Sequence, residues 1–134
     1  MPDRTTVNGK PLKEQMNKEK LDLIIDRTRK GGAEINKLLE KGSAFYAPAA
    51  AGVEMAESYI KNLKKTLPCA AYLNGEYGVK NLYVGVPVVI GSKGAEKVIE
   101  LPLNKEEKAN FDLSINAVKN LFQSAIKIDS DLGK

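Results

Sequence analysis

The chain has 134 residues, of which 43% are hydrophobic and 28% are charged. This length and composition are typical of one globular domain rather than of a disordered chain. The longest apolar or small-residue runs, residues 47–53 and 86–90, are far shorter than the roughly 20 residues of a membrane helix. Because no signal segment follows Met1 and Cys69 is the only cysteine, the sequence predicts a cytoplasmic protein without disulfides or a zinc site.

The net charge of +4 arises from 21 basic and 17 acidic residues, so nucleic acid has to be considered as a partner. The opposite charges are interspersed along the chain, as at Lys18, Glu19 and Lys20, and only three arginines occur. Aromatic residues do not interleave with a basic cluster. We therefore expect a mixed, solvated surface and no nucleic-acid partner.

The first 41 residues predict a hairpin followed by a long helical segment. Asn8-Gly9 stands between two short extended segments, and this dipeptide favours the positive backbone angles of a type I′ turn. Asn17 is a suitable cap for a helix that extends to about residue 41, because leucines and isoleucines recur there at helical spacing. Gly31-Gly32 is expected to kink this helix or to divide it in two, and Gly42 is expected to end it in a left-handed conformation.

A second helix is predicted over residues 47–65. Glu57 and Lys61 are four residues apart and are expected to pair on its outer side. The other side is predicted to pack through an apolar stripe that consists of Val53, Ala56, Ile60 and Leu63.

The hydrophobic pattern then changes to that of β-strands. Three strands are predicted over residues 67–73, 82–90 and 97–101, separated by glycine-containing turn sequences. Pro87 lies inside the second strand and lacks the N–H that a central strand would use, so we expect an edge strand or a bulge there.

The last predicted element is a helix that begins near Asn104. Asn104 is a good N-cap, and Glu106 and Glu107 are favourable in the first turn of a helix. The buried face of this helix is predicted to consist of Phe111, Ile115, Val118, Phe122 and Ile126. Together these elements predict an α+β fold in which antiparallel strands pack with long helices.

Residues suited to independent catalysis are few. The chain contains no histidine, so a Ser-His or Cys-His arrangement within it is excluded. Cys69 is interpreted as a buried thiol rather than a nucleophile. The glycines at 75–78 and 91–94 fit turns, and neither segment has the spacing of a dinucleotide fingerprint or a P-loop. Arg27 and Arg29 are able to bind a carboxylate, although a solvated role on a charged helix face is the stronger interpretation.

Six segments carry a resemblance to known proteins; they are residues 27–35, 42–50, 55–59, 67–75, 77–79 and 83–91. In this order they resemble the lactate-dehydrogenase-like malate dehydrogenases of bacteria, over nearly the whole chain. Residues 47–50 also resemble apicomplexan lactate dehydrogenases, which are close relatives.

The resemblance implies the substrate-side, C-terminal half of an enzyme that oxidises (S)-malate to oxaloacetate with NAD in the tricarboxylic acid cycle. In the family, the dinucleotide-binding half, the Asp-His pair and the substrate-binding arginines all precede the matched part. We therefore expect residues 1–134 to be one C-terminal domain that lacks this half, has no catalytic or cofactor-binding residue of its own, and is inactive alone.

The resemblance also implies three site residues and a partner. Ser43, Ala44 and Pro48 match family positions at the wall of the substrate pocket, near the nicotinamide; packing at a helix entry is the alternative interpretation. Family members form dimers or tetramers, so a homo-oligomer is expected, with a small 2-hydroxy acid as substrate. Two other functions stay open at this point, a lactate dehydrogenase of the same family and a non-catalytic truncated paralogue that acts as an interaction module.

Overall fold

A computed structural model describes residues 4–133, and the chain divides into two compact units, Met1–Ala51 and Gly52–Lys134. The first unit begins with a hairpin and a short helix and is otherwise helical, while the second contains a three-stranded sheet and the last helix. The elements in chain order are β1 (Thr6–Val7), β2 (Lys10–Pro11), α1 (Leu12–Gln15), α2 (Lys18–Leu39), α3 (Tyr46–Ile60), β3 (Lys65–Asn74), β4 (Lys80–Gly91), β5 (Gly94–Val98) and α4 (Lys105–Ile128). Short 3-10 turns lie at Glu76–Gly78 and Ser130–Gly133.

The N-terminal hairpin has the predicted turn. Asn8 and Gly9 both adopt positive φ angles, of 51° and 76°, as a type I′ turn requires. β1 and β2 pair antiparallel on either side of this turn. The side chain of Gln15 donates hydrogen bonds to the carbonyls of Val7 and Lys10, at 2.9 and 2.8 Å, and so ties α1 to the hairpin.

α2 is one helix, and the predicted division at Gly31-Gly32 is wrong. Its N-cap is Asn17, as predicted, and the Asn17 side chain accepts a hydrogen bond from the Lys20 amide at 2.9 Å. The two glycines cost about 1 kcal/mol each relative to alanine, which a helix of 22 residues with good helix formers on both sides tolerates. α2 ends at Leu39 because Glu40 turns to a φ of 56°, and Gly42 follows with the expected positive φ, of 107°.

α3 ends at Ile60, five residues before the predicted boundary. The predicted ion pair is confirmed, with 2.6 Å between Lys61 Nζ and Glu57 Oε1. The predicted packing stripe is wrong, because Val53 and Ile60 are exposed. Position 58 is the one that is fully buried on this helix, and it carries a serine, whose hydroxyl rather than an apolar group makes the contact with the sheet.

The sheet has the order β3-β4-β5, and all pairs are antiparallel. Alternate residues of β3 and β4 point to one face, so that Leu73 lies opposite Leu82 and Ala71 opposite Val84. This face and α4 enclose the core of the second unit, which consists of Ala71, Leu73, Val79, Leu82, Val84, Val86, Val88 and Ile115. The α+β fold class predicted from the sequence is therefore confirmed.

Pro87 lies in the central strand of this sheet, so its predicted edge position is wrong. The irregularity in pairing falls two residues further on, between Val89 and Ile90. On the β3 side Pro87 lies opposite Pro68. On the other side its carbonyl accepts a hydrogen bond from the Ile99 amide at 2.8 Å, just beyond the end of β5. The third strand was predicted at 97–101 and lies three residues earlier.

α4 begins as predicted. Asn104 caps it, and the side chains of Asn104 and Glu107 form a reciprocal capping box. Ile115 is buried in the core, and Phe111 and Val118 pack against it, but Phe122 is exposed, so the predicted buried face holds only in part. Within residues 4–133, no helix has both the length and the apolar character of a membrane span.

Candidate functional site

The three residues expected at a substrate pocket lie together at the junction of α2 and α3. Ser43 and Ala44 belong to the connecting loop, and Pro48 is the third residue of α3. Ser43 and Pro48 are exposed and Ala44 is half-buried. A ligand therefore has access to the Ser43 hydroxyl and the Pro48 ring from the surface of the first unit.

A hydrogen bond that no local sequence pattern predicts holds the loop in place. The Asn36 side chain, on the last turns of α2, accepts a hydrogen bond from the Ala44 amide at 2.9 Å. The Phe45 carbonyl accepts from the Ala49 amide, also at 2.9 Å, and this bond starts α3. Both ends of the loop are thus fixed to helices, which is what a rigid pocket wall requires.

The electrostatics of the junction favour a negatively charged group. The first turn of α3 contains no acidic residue, so the partial positive charge at this helix end has no carboxylate within the turn to balance it. Pro48 has no N–H to offer, but its fixed φ suits the first turn of a helix. A carboxylate near the loop is favoured by this field, and Ser43 adds a hydroxyl that both donates and accepts hydrogen bonds.

Arg27 already has a carboxylate partner. Its guanidinium binds Glu34 through two hydrogen bonds, with Nη2 at 2.9 Å from Oε1 and Nε at 3.2 Å from Oε2. The hydrogen bond and the opposite charge of Glu34 raise the pKa of Arg27, and the same contacts lower the pKa of Glu34. Arg27 therefore has a structural partner, in agreement with the interpretation of this position as part of a charged helix face.

Cys69 has the surroundings of an unreactive thiol. Its sulfur lies 3.3 Å from the sulfur of Met55, on the side of β3 that faces the core. Burial raises the pKa of this thiol, so that the protonated form dominates near neutral pH. The interpretation of Cys69 as a packing residue agrees with this environment.

Ser58 is a second position that the sequence did not single out. It is fully buried, at 0% exposure, and its hydroxyl donates to the Ile90 carbonyl at 2.7 Å and accepts from the Lys65 amide at 3.2 Å. These bonds fix the end of α3 against the sheet. A serine among helical residues carries no local signal for this role, because its partners are 7 and 32 residues away.

Residues 3–128 match the profile of the lactate/malate dehydrogenase, alpha/beta C-terminal domain. Because this match covers most of its length, the chain belongs to that family. A malate dehydrogenase of Pelagibacter ubique (strain HTCC1062) is 57% identical over 139 residues, which include 100% of this chain and 43% of the relative.

Solved structures of the family have the same fold. A malate dehydrogenase from Salinibacter ruber has a TM-score of 0.92 at 41% identity, covering 100% of this chain and 43% of that one. A lactate dehydrogenase from Eimeria maxima, solved with NADH and oxamate, has a TM-score of 0.92 at 41% identity over 97% of this chain and 42% of that one. The chain thus spans less than half the length of the proteins it matches.

Proposed function

We propose that this chain is the substrate-side domain of an NAD-dependent malate dehydrogenase, which oxidises (S)-malate to oxaloacetate in the tricarboxylic acid cycle. The observation that carries the proposal is the 57% identity with a malate dehydrogenase over the whole chain. The contribution of this domain is the pocket wall at the α2–α3 junction, where Ser43, Ala44 and Pro48 face the substrate and the helix end favours its carboxylate.

The cofactor is bound mainly by another part of the protein. NAD supplies the acceptor for the hydride. A dinucleotide site requires a parallel sheet with a glycine-rich turn into a helix, whereas every strand pair in residues 4–133 is antiparallel. The chain also has no histidine to serve as general base. We therefore assign NAD binding to a dinucleotide-binding half and the general base to the part of the family that precedes the matched segment, and expect residues 1–134 alone to have no turnover.

A chimaera tests the assignment. The matched segment of the Pelagibacter ubique malate dehydrogenase is replaced by this chain, and NADH formation is measured with (S)-malate and with (S)-lactate. We expect malate turnover within about tenfold of the parent enzyme, because this chain is 57% identical to the segment that it replaces. A folded chimaera that oxidises neither acid would contradict the proposal.

The pocket wall is tested by filling it. In the same chimaera, Ser43→Leu is expected to raise the KM for malate by about tenfold, because an apolar side chain replaces a hydroxyl beside the carboxylate. Ser114→Leu is the matched control, since Ser114 is also exposed but lies on α4. Equal kinetics for the two variants would mean that Ser43 only helps the chain to enter α3.

Assembly and location belong to the same proposal. The small residues Ala49, Ala50, Ala51 and Gly52 of α3 permit close approach of a second helix, which supports a homo-oligomer. The single cysteine fits a reducing, cytoplasmic environment. A monomeric chimaera in light scattering at micromolar concentration would count against the oligomer. The other open function, a non-catalytic interaction module, predicts an inactive chimaera.

A further inference from the structure

Glycine follows asparagine at two places in the chain, Asn8-Gly9 and Asn74-Gly75. This dipeptide is open to deamidation, because glycine carries no side chain to shield its backbone nitrogen from the side-chain amide of the preceding asparagine. Both asparagines are exposed, and a large aliphatic residue precedes each of them, Val7 in one case and Leu73 in the other. The two sites therefore have similar intrinsic reactivity, and a difference between them has to arise from the fold.

The Gly9 amide has no hydrogen-bond partner within the described chain. Asn8 and Gly9 form the turn between β1 and β2, and within residues 4–133 neither the Gly9 amide nor the Asn8 side chain makes a hydrogen bond. A Cβ placed on Gly9 would meet no atom within 4 Å, so the space beside the turn is open. Rotation of the peptide unit between the two residues converts a type I′ turn into type II′, which two-residue hairpin loops also adopt. This rotation turns the Gly9 nitrogen toward the Asn8 side chain.

The Gly75 amide, in contrast, is held by the fold. It donates a hydrogen bond to the Val79 carbonyl at 2.8 Å. Asn74 is the last residue of β3, and its own amide donates to the Glu76 side chain at 2.7 Å. Rotation of the peptide unit between Asn74 and Gly75 requires the loss of the bond to Val79, so attack by the Gly75 nitrogen is disfavoured.

We propose that Asn8 is a site of spontaneous deamidation and that the isoaspartyl product opens the N-terminal hairpin. A base in the solvent removes the proton of the Gly9 amide, and the nitrogen attacks Cγ of Asn8. The bond between the Gly9 nitrogen and Cγ forms, the bond between Cγ and Nδ2 breaks, and ammonia leaves with a proton from water. Water then opens the cyclic imide at either carbonyl, which gives aspartate or isoaspartate. Water is the only co-reactant, and neither step is a redox reaction.

An isoaspartyl residue lengthens the turn. Its main chain passes through Cβ and Cγ in place of the backbone carbonyl carbon, so an additional carbon lies between Val7 and Lys10. These two residues pair across a two-residue loop, whose geometry depends on its length. The Gln15 side chain donates to both of their carbonyls, at 2.9 and 2.8 Å, and a change in their separation costs at least one of these bonds. The attachment of α1 to the hairpin is thereby weakened.

Peptide mapping by mass spectrometry tests the site. The 134-residue chain is incubated in mildly alkaline buffer made with heavy-oxygen water, which labels the carboxyl group that hydrolysis creates. We expect Asn8 to be converted about tenfold faster than Asn74 in the folded chain, and both to be converted at similar rates in urea. Equal rates in the folded chain would overturn the inference, and so would a difference that persists unchanged in urea.

Hydrogen exchange tests the effect on the hairpin. Asn8→Asp introduces the same charge with a normal main chain, so it is the matched control for the isoaspartyl protein. The Leu12 amide donates to the Thr5 carbonyl at 2.9 Å, across the open end of the hairpin. We expect it to exchange about tenfold faster in the isoaspartyl fraction than in Asn8→Asp. Equal exchange in the two samples would overturn the proposed opening of the hairpin.

Discussion

The Tyr77 hydroxyl donates to the Ile99 carbonyl the hydrogen bond that the Pro87 nitrogen is unable to donate. In an antiparallel pair, the N–H and the carbonyl of a residue point to the same side. The Pro87 carbonyl accepts from the Ile99 amide, so the Pro87 nitrogen faces the Ile99 carbonyl but has no hydrogen to donate. The Tyr77 hydroxyl donates to that carbonyl at 2.8 Å and accepts from the Leu101 amide at 2.9 Å. A proline is thereby tolerated in the central strand.

Removal of this hydroxyl is expected to destabilise the chain. Tyr77→Phe keeps the ring, which packs against Phe111 at 5.0 Å between centroids, but leaves the Ile99 carbonyl and the Leu101 amide without their partner. We expect the free energy of unfolding in urea to fall by about 1–3 kcal/mol. The control is Tyr72→Phe, whose hydroxyl binds only the exposed Asn81 side chain, and a smaller loss is expected there.

A double-mutant cycle tests the link between Tyr77 and Pro87. Pro87→Val restores an N–H that competes with the Tyr77 hydroxyl for the Ile99 carbonyl. We therefore expect Pro87→Val to be less destabilising in the Tyr77→Phe background than in the parent, by about 1 kcal/mol. Additive effects of the two changes would show that the hydroxyl does not replace the missing N–H.

Ser58→Ala is expected to weaken the attachment of α3 to the sheet. The change removes the acceptor of the Lys65 amide and the donor to the Ile90 carbonyl, both in a fully buried position. A loss of about 1–3 kcal/mol in the free energy of unfolding is expected. Ser124→Ala, which removes an exposed hydroxyl of α4, is expected to change stability by no more than about 0.5 kcal/mol. If the two variants unfold alike, the buried bonds contribute nothing net.

Glu76 is expected to contribute to acid sensitivity. Its carboxylate accepts hydrogen bonds from its own amide and from the Asn74 amide, the latter at 2.7 Å, and these bonds lower its pKa from the ordinary value of 4.5. The folded state therefore favours the ionised form. The resulting stabilisation is complete above pH 4.5 and is lost as the pH falls through the lowered pKa.

Urea unfolding at several pH values checks this expectation. The curve of Glu76→Gln should lie below that of the parent at neutral pH and converge with it in acid, because glutamine does not titrate. Glu14→Gln, at an exposed position of α1, is the matched change. The assignment to Glu76 fails if both variants follow the parent curve at every pH.

Choice between malate and lactate is expected to lie outside this domain. Malate has a second carboxylate that requires a countercharge, and neither Ser43 nor Ala44 is able to supply one. The chain is fused in turn to the complementary parts of the Pelagibacter ubique malate dehydrogenase and of the Eimeria maxima lactate dehydrogenase. We expect each fusion to keep the preference of its donor. The same preference in both fusions would assign the choice to the α2–α3 junction instead.

The parts of the fold that depend on neighbouring residues were predictable from sequence. Asn8-Gly9 specifies its turn and Asn104 its helix start, because the backbone angles and the capping bonds involve only the next few residues. The pairing of Glu57 with Lys61 follows from helical spacing alone. The family was predicted from the resemblance to malate dehydrogenases, because the few candidate catalytic residues of the chain did not indicate one.

The sequence-based predictions failed mainly where contacts between residues distant in sequence determine the structure. Pro87 is tolerated in a central strand because Tyr77 lies near Ile99, a contact between residues 22 positions apart that no local pattern reveals. The exposed stripe of α3 has the helical spacing of a packing face, but the sheet contacts Met55 and Ser58 instead. The predicted division at Gly31-Gly32 was wrong for another reason, since a helix of 22 residues tolerates two glycines at a cost of about 1 kcal/mol each.

Pro68 affects whether a strand of another chain is able to pair with the outer edge of the sheet. It lies in the middle of β3, an outer strand of the sheet, directly opposite Pro87. Two prolines exchange no hydrogen bond, so the backbone of Pro68 points outward and offers a carbonyl but no N–H to an approaching strand. Ten residues of edge strand are a potential template for strand addition, and Pro68 leaves a gap in the row of N–H donors that an added strand would need.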